Sequence, residues 1–110
     1  MTEHKQQFQC FSDFYRFYLQ EHSQPACRLL HYLGSSLVLV LFAAALLTQQ
    51  WALLWWLPLA GYGFAWIGHF FIEHNKPATF QYPFYSLAAD WVMLWHFISG
   101  RLPSLLARQD

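Results

Sequence analysis

From Leu29 to Ile72 the chain carries no Asp, Glu, Lys or Arg. Few folds tolerate 44 consecutive residues, 29–72, without a formal charge. The only strongly polar pair in the middle of the stretch is Gln49-Gln50. A helix that crosses a bilayer needs about 20 apolar residues, so two such helices and a tight turn at Gln49-Gln50 fill the stretch almost completely. The expected fold class is therefore all-α: a small transmembrane bundle of about four helices around a central helical hairpin, in a single membrane-embedded domain over residues 1–110. Composition points the same way, with 56% hydrophobic, 21% aromatic and 11% charged residues, against about 25% charged in an ordinary soluble domain. The formal net charge is zero, so nothing suggests a nucleic-acid partner.

The expected helices are residues 6–21, 25–48, 51–74 and 84–99. Phe8, Phe11, Phe14, Tyr15, Tyr18 and Leu19 recur at helical spacing, with Asp13, Arg16, Gln20 and Glu21 off that face, which describes an amphipathic helix. Charges through residues 1–22 leave no uninterrupted apolar core for a cleaved leader. Ser23-Gln24-Pro25 breaks and restarts the chain, since Pro suits a first helical turn. Pro58 predicts a kink or an unwound first turn in the third helix. Gly61, Ala65, Gly68 and Ile72 share one face of it, and small residues let helices approach closely in lipid. Trp51, Trp55, Trp56, Trp66 and Trp91 suit headgroup level. Asn75 is read as the left-handed cap before Pro77. The fourth segment, with Asp90 and His96, is too short and polar to be read as a full span. Gly100 and Pro103 end it before a polar tail. Cys10 and Cys27 form no ligand motif and are read as small buried thiols.

Residues equidistant from a hairpin turn lie at equal depth. His31 is 18 residues before Gln49 and His69 is 19 after Gln50, so at about 1.5 Å per residue both lie roughly 27–29 Å from the turn. Glu73 follows His69 by one helical turn, and the two can share a target. His22 ends the first helix and is held near the start of the second. His22, His31, His69 and Glu73 can therefore converge, although each histidine alone reads more simply as interfacial. Three imidazoles and a carboxylate suit Fe(II), Zn or Mn. His96 does not join them if the fourth helix crosses, because it is then carried to the opposite face. Lys5, Arg16, Arg28 and Lys76 lie on the histidine side, and Arg101 and Arg108 on the other if the fourth helix crosses, which makes the histidine face cytoplasmic.

Three blocks of sequence carry a resemblance. They are Phe14-Tyr15-Arg16-Phe17-Tyr18-Leu19-Gln20-Glu21-His22, then Arg28-x-x-His31-x-x-Gly34, then Ala65-Trp66-x-Gly68-His69-x-x-x-Glu73-x-Asn75-x-Pro77-Ala78-Thr79-Phe80. From about Phe8 to Gly100 the chain resembles the 2-hydroxy-palmitic acid dioxygenase-like family of small membrane proteins. The resemblance implies an Fe(II)-dependent α-oxidation in which O2 shortens a 2-hydroxy fatty acid by one carbon. It implies His22, His31, His69 and Glu73 as metal-binding and catalytic residues; His74 stands outside the set. Arg28 or Lys76 could hold the substrate headgroup as a charge-assisted pair, or serve simply as interfacial anchors. The partners are then a lipid or fatty acid and the membrane. The brevity of the chain suggests an integral protein of a bacterial inner membrane. The alternatives are a haem-binding helical bundle and a non-catalytic lipid-binding or scaffold protein.

Overall fold

The computed structural model describes residues 8–107. Five α-helices appear in the order α1 (Phe11–Gln20), α2 (Pro25–Thr48), α3 (Leu57–Ile67), α4 (Pro83–Ile98) and α5 (Leu102–Ala107). A 3-10 helix, Trp51–Trp56, precedes α3; a π-helical turn, Gly68–Glu73, follows it; a short 3-10 turn, Ala78–Phe80, leads into α4. There is no strand among the described residues.

The hairpin forms as its sequence demands. Pro25 sits in the first turn of α2, where its missing N–H costs nothing. Gln49 closes the helix in the left-handed conformation, φ 57°. Pro58 has no N–H for the carbonyl of residue 54, so an α-helix cannot run unbroken through it. The chain answers with 3-10 geometry up to Trp56 and α-helix from Leu57. The third limb is thus three kinds of helix rather than one, and α2 is the one described helix long and apolar enough to cross a membrane.

Two glycines set how closely α2 and the returning limb pack. A Cβ on Gly34 would stand 2.7 Å from the Ala60 carbonyl oxygen, and one on Gly68 would stand 2.8 Å from Cys27 Sγ. Gly61, expected at the close contact, would meet only Val38 at an ordinary 3.6 Å.

The other helices gather at the histidine end. Phe14, Tyr18 and Leu19 of α1 are buried against Ala89 and Met93 of α4, with Phe8, Tyr82 and Tyr85 ringed around Phe14. The start of α1 and the tail depart from expectation, and the course of α4, left open by its sequence, is fixed. Helix α1 begins at Phe11 rather than residue 6; residues 6 and 7 lie outside the described part. Helix α4 does not cross to the far end of the hairpin. Its Phe97 stacks on Tyr32 at 4.3 Å, and Leu102 and Pro103 beyond it line a cavity together with Pro25 and Arg28. Arg101 therefore lies at the histidine end, and Arg108 lies outside the described residues. The tail forms a fifth helix, begun by Pro103 in its first turn and anchored by buried Leu102.

Candidate metal centre

Three histidines distant in sequence meet in the interior. His22, His31 and His69 are 1%, 7% and 2% exposed. His22 Nε2 lies 2.9 Å from His31 Nε2, which lies 3.3 Å from His69 Nε2. The equal depth computed from the hairpin turn accounts for the second distance. His22 arrives from the turn after α1, where Arg28 donates to the carbonyls of His22 and Ser23 at 2.7 and 3.0 Å.

The far nitrogen of each ring faces an oxygen. His22 Nδ1 donates to the Tyr18 carbonyl at 2.6 Å. His69 Nδ1 donates to Asn75 Oδ1 at 2.7 Å, and the amide is fixed in that sense because its Nδ2 donates to the Glu21 carbonyl at 3.1 Å. His31 Nδ1 lies 3.6 Å from Asp90 Oδ1, which also accepts the Tyr18 hydroxyl proton. Carbonyl and carboxylate partners at the distal nitrogen are what orient metal-binding imidazoles.

These partners set the tautomers of His22 and His69, so both present bare Nε2 lone pairs to the same point. His31 can place at most one hydrogen between them. Burial, with His31 and His69 close by, holds His22 well below the usual histidine pKa, so an extra proton is disfavoured there. A cation at the focus resolves the repulsion. Two nitrogens each about 2.1 Å from one ion and at right angles to it lie about 3 Å apart, which matches the observed spacings. Cys27 Sγ joins the three rings in a group whose ligand atoms all lie within 4.8 Å of one another. The donor set therefore fits a divalent transition metal.

Glu73 is not one of that group but borders it at Cys27. Its Oε1 accepts from Ser23 Oγ at 2.9 Å and its Oε2 from the Gln24 backbone N–H at 2.6 Å, so both oxygens hold the start of α2. Glu73 is drawn from the target expected of it with His69 by these two bonds to the chain before α2. Left-handed His74, φ 59°, ends the π-helical turn, and the cap expected of Asn75 belongs to it. Asn75 instead grips His69 twice, through Oδ1 and through its own N–H to the His69 carbonyl at 2.9 Å.

A cavity of about 20 Å³ adjoins the rings, walled in part by Tyr62, Trp66, Ser86 and Asp90. It admits a single occupant the size of a water or small ion. Ser86 is 5% exposed, and its hydroxyl has no hydrogen-bond partner among the described residues. Arg28 and Lys76 do not line this cavity: Arg28 is engaged as described, and exposed Lys76 borders an open cleft of about 620 Å³ beside Phe17 and Glu21. His96 Nδ1 shares a hydrogen bond with the Tyr15 hydroxyl at 2.8 Å and stays outside the group. Cys27 is buried as expected, whereas Cys10 is exposed.

The sequence reading missed Asp90, Ser86, Cys27 and the orienting role of Asn75. Asp90 had a signal, being the lone acidic residue between Glu73 and Asp110. Ser86 lies one turn before it on the same face.

With the geometry fixed, comparison with known families is informative. The model of the 2-hydroxy-palmitic acid dioxygenase Mpo1-like family matches residues 8–102. The chain belongs to this family. The match spans every element from α1 to the start of α5, including all four ligand candidates. Comparison with curated proteins and with solved structures gave no match.

Proposed function

We propose that this protein is a membrane-embedded, Fe(II)-dependent dioxygenase that shortens 2-hydroxy fatty acids by one carbon. The observation that carries the reading is the convergence of three Nε2 atoms whose distal nitrogens all face oxygen partners, in a chain of this family. His22, His31 and His69 would hold the metal, with Cys27 Sγ within reach. Fe(II) bound there supplies reducing electrons for O2 and a Lewis-acidic point for an α-hydroxy carboxylate.

The protein's own groups do the rest. Asn75, Asp90 and the Tyr18 carbonyl keep the three imidazoles in the binding tautomer. Glu73, bound to the start of α2, holds the His22 and His31 segments in register and acts by positioning. Ser86 offers its hydroxyl to the polar end of the substrate. Trp66, Tyr62 and Pro77 restrict water around the rings. Lys76, at the neighbouring cleft, is placed to draw a carboxylate toward the site, and Arg28 serves mainly to hold the turn before α2. A cavity of about 20 Å³ has no room for a porphyrin, which argues against the haem alternative.

Membrane embedding is supported by α2. Its 24 residues extend about 36 Å, enough for a hydrocarbon core of about 30 Å. A core helix of a soluble protein is mostly buried, yet only 28% of its most apolar window is covered. Leu39, Val40, Phe42, Leu47 and Trp55 all face outward. Arg16, Arg28, Lys76 and Arg101 gather at the histidine end, which supports a cytoplasmic orientation in a bacterial inner membrane.

The test is turnover by purified protein in nanodiscs, supplied with Fe(II), O2 and 2-hydroxypalmitate. The expected product is the acid one carbon shorter, formed with O2 consumption and lost in His69→Ala. Iron-loaded wild type that leaves the acid intact would reject the reading.

A further inference from the structure

A second cavity opens from the metal centre toward the middle of the hairpin. It has a volume of about 250 Å³, and His31, Tyr62 and Asp90 line both it and the small cavity at the rings. Below His31 its walls are Ser35 and Val38 of α2, Gly61 of α3, and Leu87 and Trp91 of α4. Among the described residues that line it, the ionisable ones, His31, Tyr62 and Asp90, stand at its upper end, where it meets the imidazoles. Leu87 is half-exposed at the edge, so the groove opens sideways onto the apolar surface of the hairpin.

We infer that this groove is the acyl-chain site, and that Gly61, in the α3 wall beside Val38, sets how much chain is enclosed. The inference rests on the proposed reaction on 2-hydroxy fatty acids and adds where their tails lie. Its length sets its capacity. From His31 to Val38 is seven residues of helix, about 10 Å. An extended chain advances about 1.2 Å per bond, so that length takes about eight carbons. Gly61 and Val38 are each 11 residues from the hairpin turn and so mark the same depth. A longer acid fills the groove and passes Leu57 and Pro58 into the bilayer. A chain drawn sideways from the membrane reaches the metal centre without its tail crossing water.

Gly61 can be changed with little harm to the backbone, because a Cβ there makes only an ordinary contact with Val38. Gly61→Leu plugs the groove at the level of Val38, and Ser35→Leu plugs it one helical turn below His31. The test is equilibrium binding of radiolabelled 2-hydroxyoctanoate and 2-hydroxypalmitate to protein in nanodiscs under anaerobic conditions, with metal content measured alongside. Gly61→Leu is expected to weaken 2-hydroxypalmitate by at least about tenfold, since losing two or three buried methylenes suffices, while 2-hydroxyoctanoate changes less than about twofold and metal content is kept. Ser35→Leu is expected to weaken both acids. Should Gly61→Leu fail to fold, Gly61→Ala and Ser35→Leu carry the same contrast on a smaller scale. Equal binding of both acids by wild type and both plugged variants would overturn the inference, as would wild type that binds neither acid. A depth-dependent loss of binding in a protein that oxidises neither acid would leave the groove standing and remove the oxygenase reading instead.

Discussion

Asn75→Ala probes the centre through a residue that touches no metal. Asn75 Oδ1 accepts from His69 Nδ1 at 2.7 Å, and Asn75 Nδ2 donates to the Glu21 carbonyl at 3.1 Å. The substitution breaks both bonds and leaves two part-buried groups unpaired. Each such loss costs about 1–3 kcal/mol; water reaches part of this site, so about 2–3 kcal/mol in total is expected for the metal-free protein. The larger effect falls on the metal. Without the amide, His69 can turn or carry its proton on Nε2, and loss of such an orienting partner lowers metal affinity by about 10–100-fold. Chelator competition measures the affinity, and thermal unfolding with chelator present measures the stability. Asn75→Asp separates the two, because it keeps the acceptor for His69 but loses the donor to Glu21. It is expected to restore most of the metal affinity and little of the stability. Unchanged metal affinity in Asn75→Ala, with lowered stability, would refute the reasoning and leave Asn75 as a brace alone.

Glu73→Gln should leave metal stoichiometry intact by metal analysis, because both Glu73 oxygens are spent on Ser23 and Gln24; thermal unfolding should show a loss of about 1–2 kcal/mol from a weakened hold on the α2 N-terminus. Gly34→Ala forces a methyl to 2.7 Å from a backbone carbonyl and should cost about 1–3 kcal/mol as the limbs separate, whereas Gly61→Ala should be neutral or stabilising in the same unfolding assay. His22 has a folded-state pKa below its ordinary value, for reasons of burial and neighbouring imidazoles. Below about pH 6.5 the unfolded chain therefore binds a proton that the folded chain refuses. That contribution to stability is complete above about pH 6.5 and is lost as the pH falls, with a slope of up to about 1.4 kcal/mol per pH unit, measurable by denaturation of metal-free protein at a series of pH values.

The sequence was most legible where one physical demand dominated. Absence of charge over residues 29–72, Gln49-Gln50 and two prolines were enough to define the hairpin, because apolar helices must end where turn residues and missing N–H groups force them to. Equal counts from the turn brought His31 and His69 to one depth, and the turn at Ser23–Pro25 delivered His22. What was not legible depended on side-chain direction. Glu73 is engaged by Ser23 and Gln24, and nothing in its spacing from His69 signals those partners. Helix α4 looked like a weak span because its apolar residues count alike against lipid and against protein. Only its contacts show that Phe97 faces Tyr32 and His96 faces Tyr15. The partner of His31 comes from that helix, whose course its sequence left open, so Asp90 was read only as a polar residue that weakens a span.

The central claim is that three imidazoles focus on one divalent metal ion. Metal analysis of protein purified anaerobically, for wild type and His31→Ala, tests it most directly. About one iron per chain in wild type is expected, lost in His31→Ala while the helical circular dichroism is kept. Metal-free wild type, or an unchanged metal content in the variant, would contradict it.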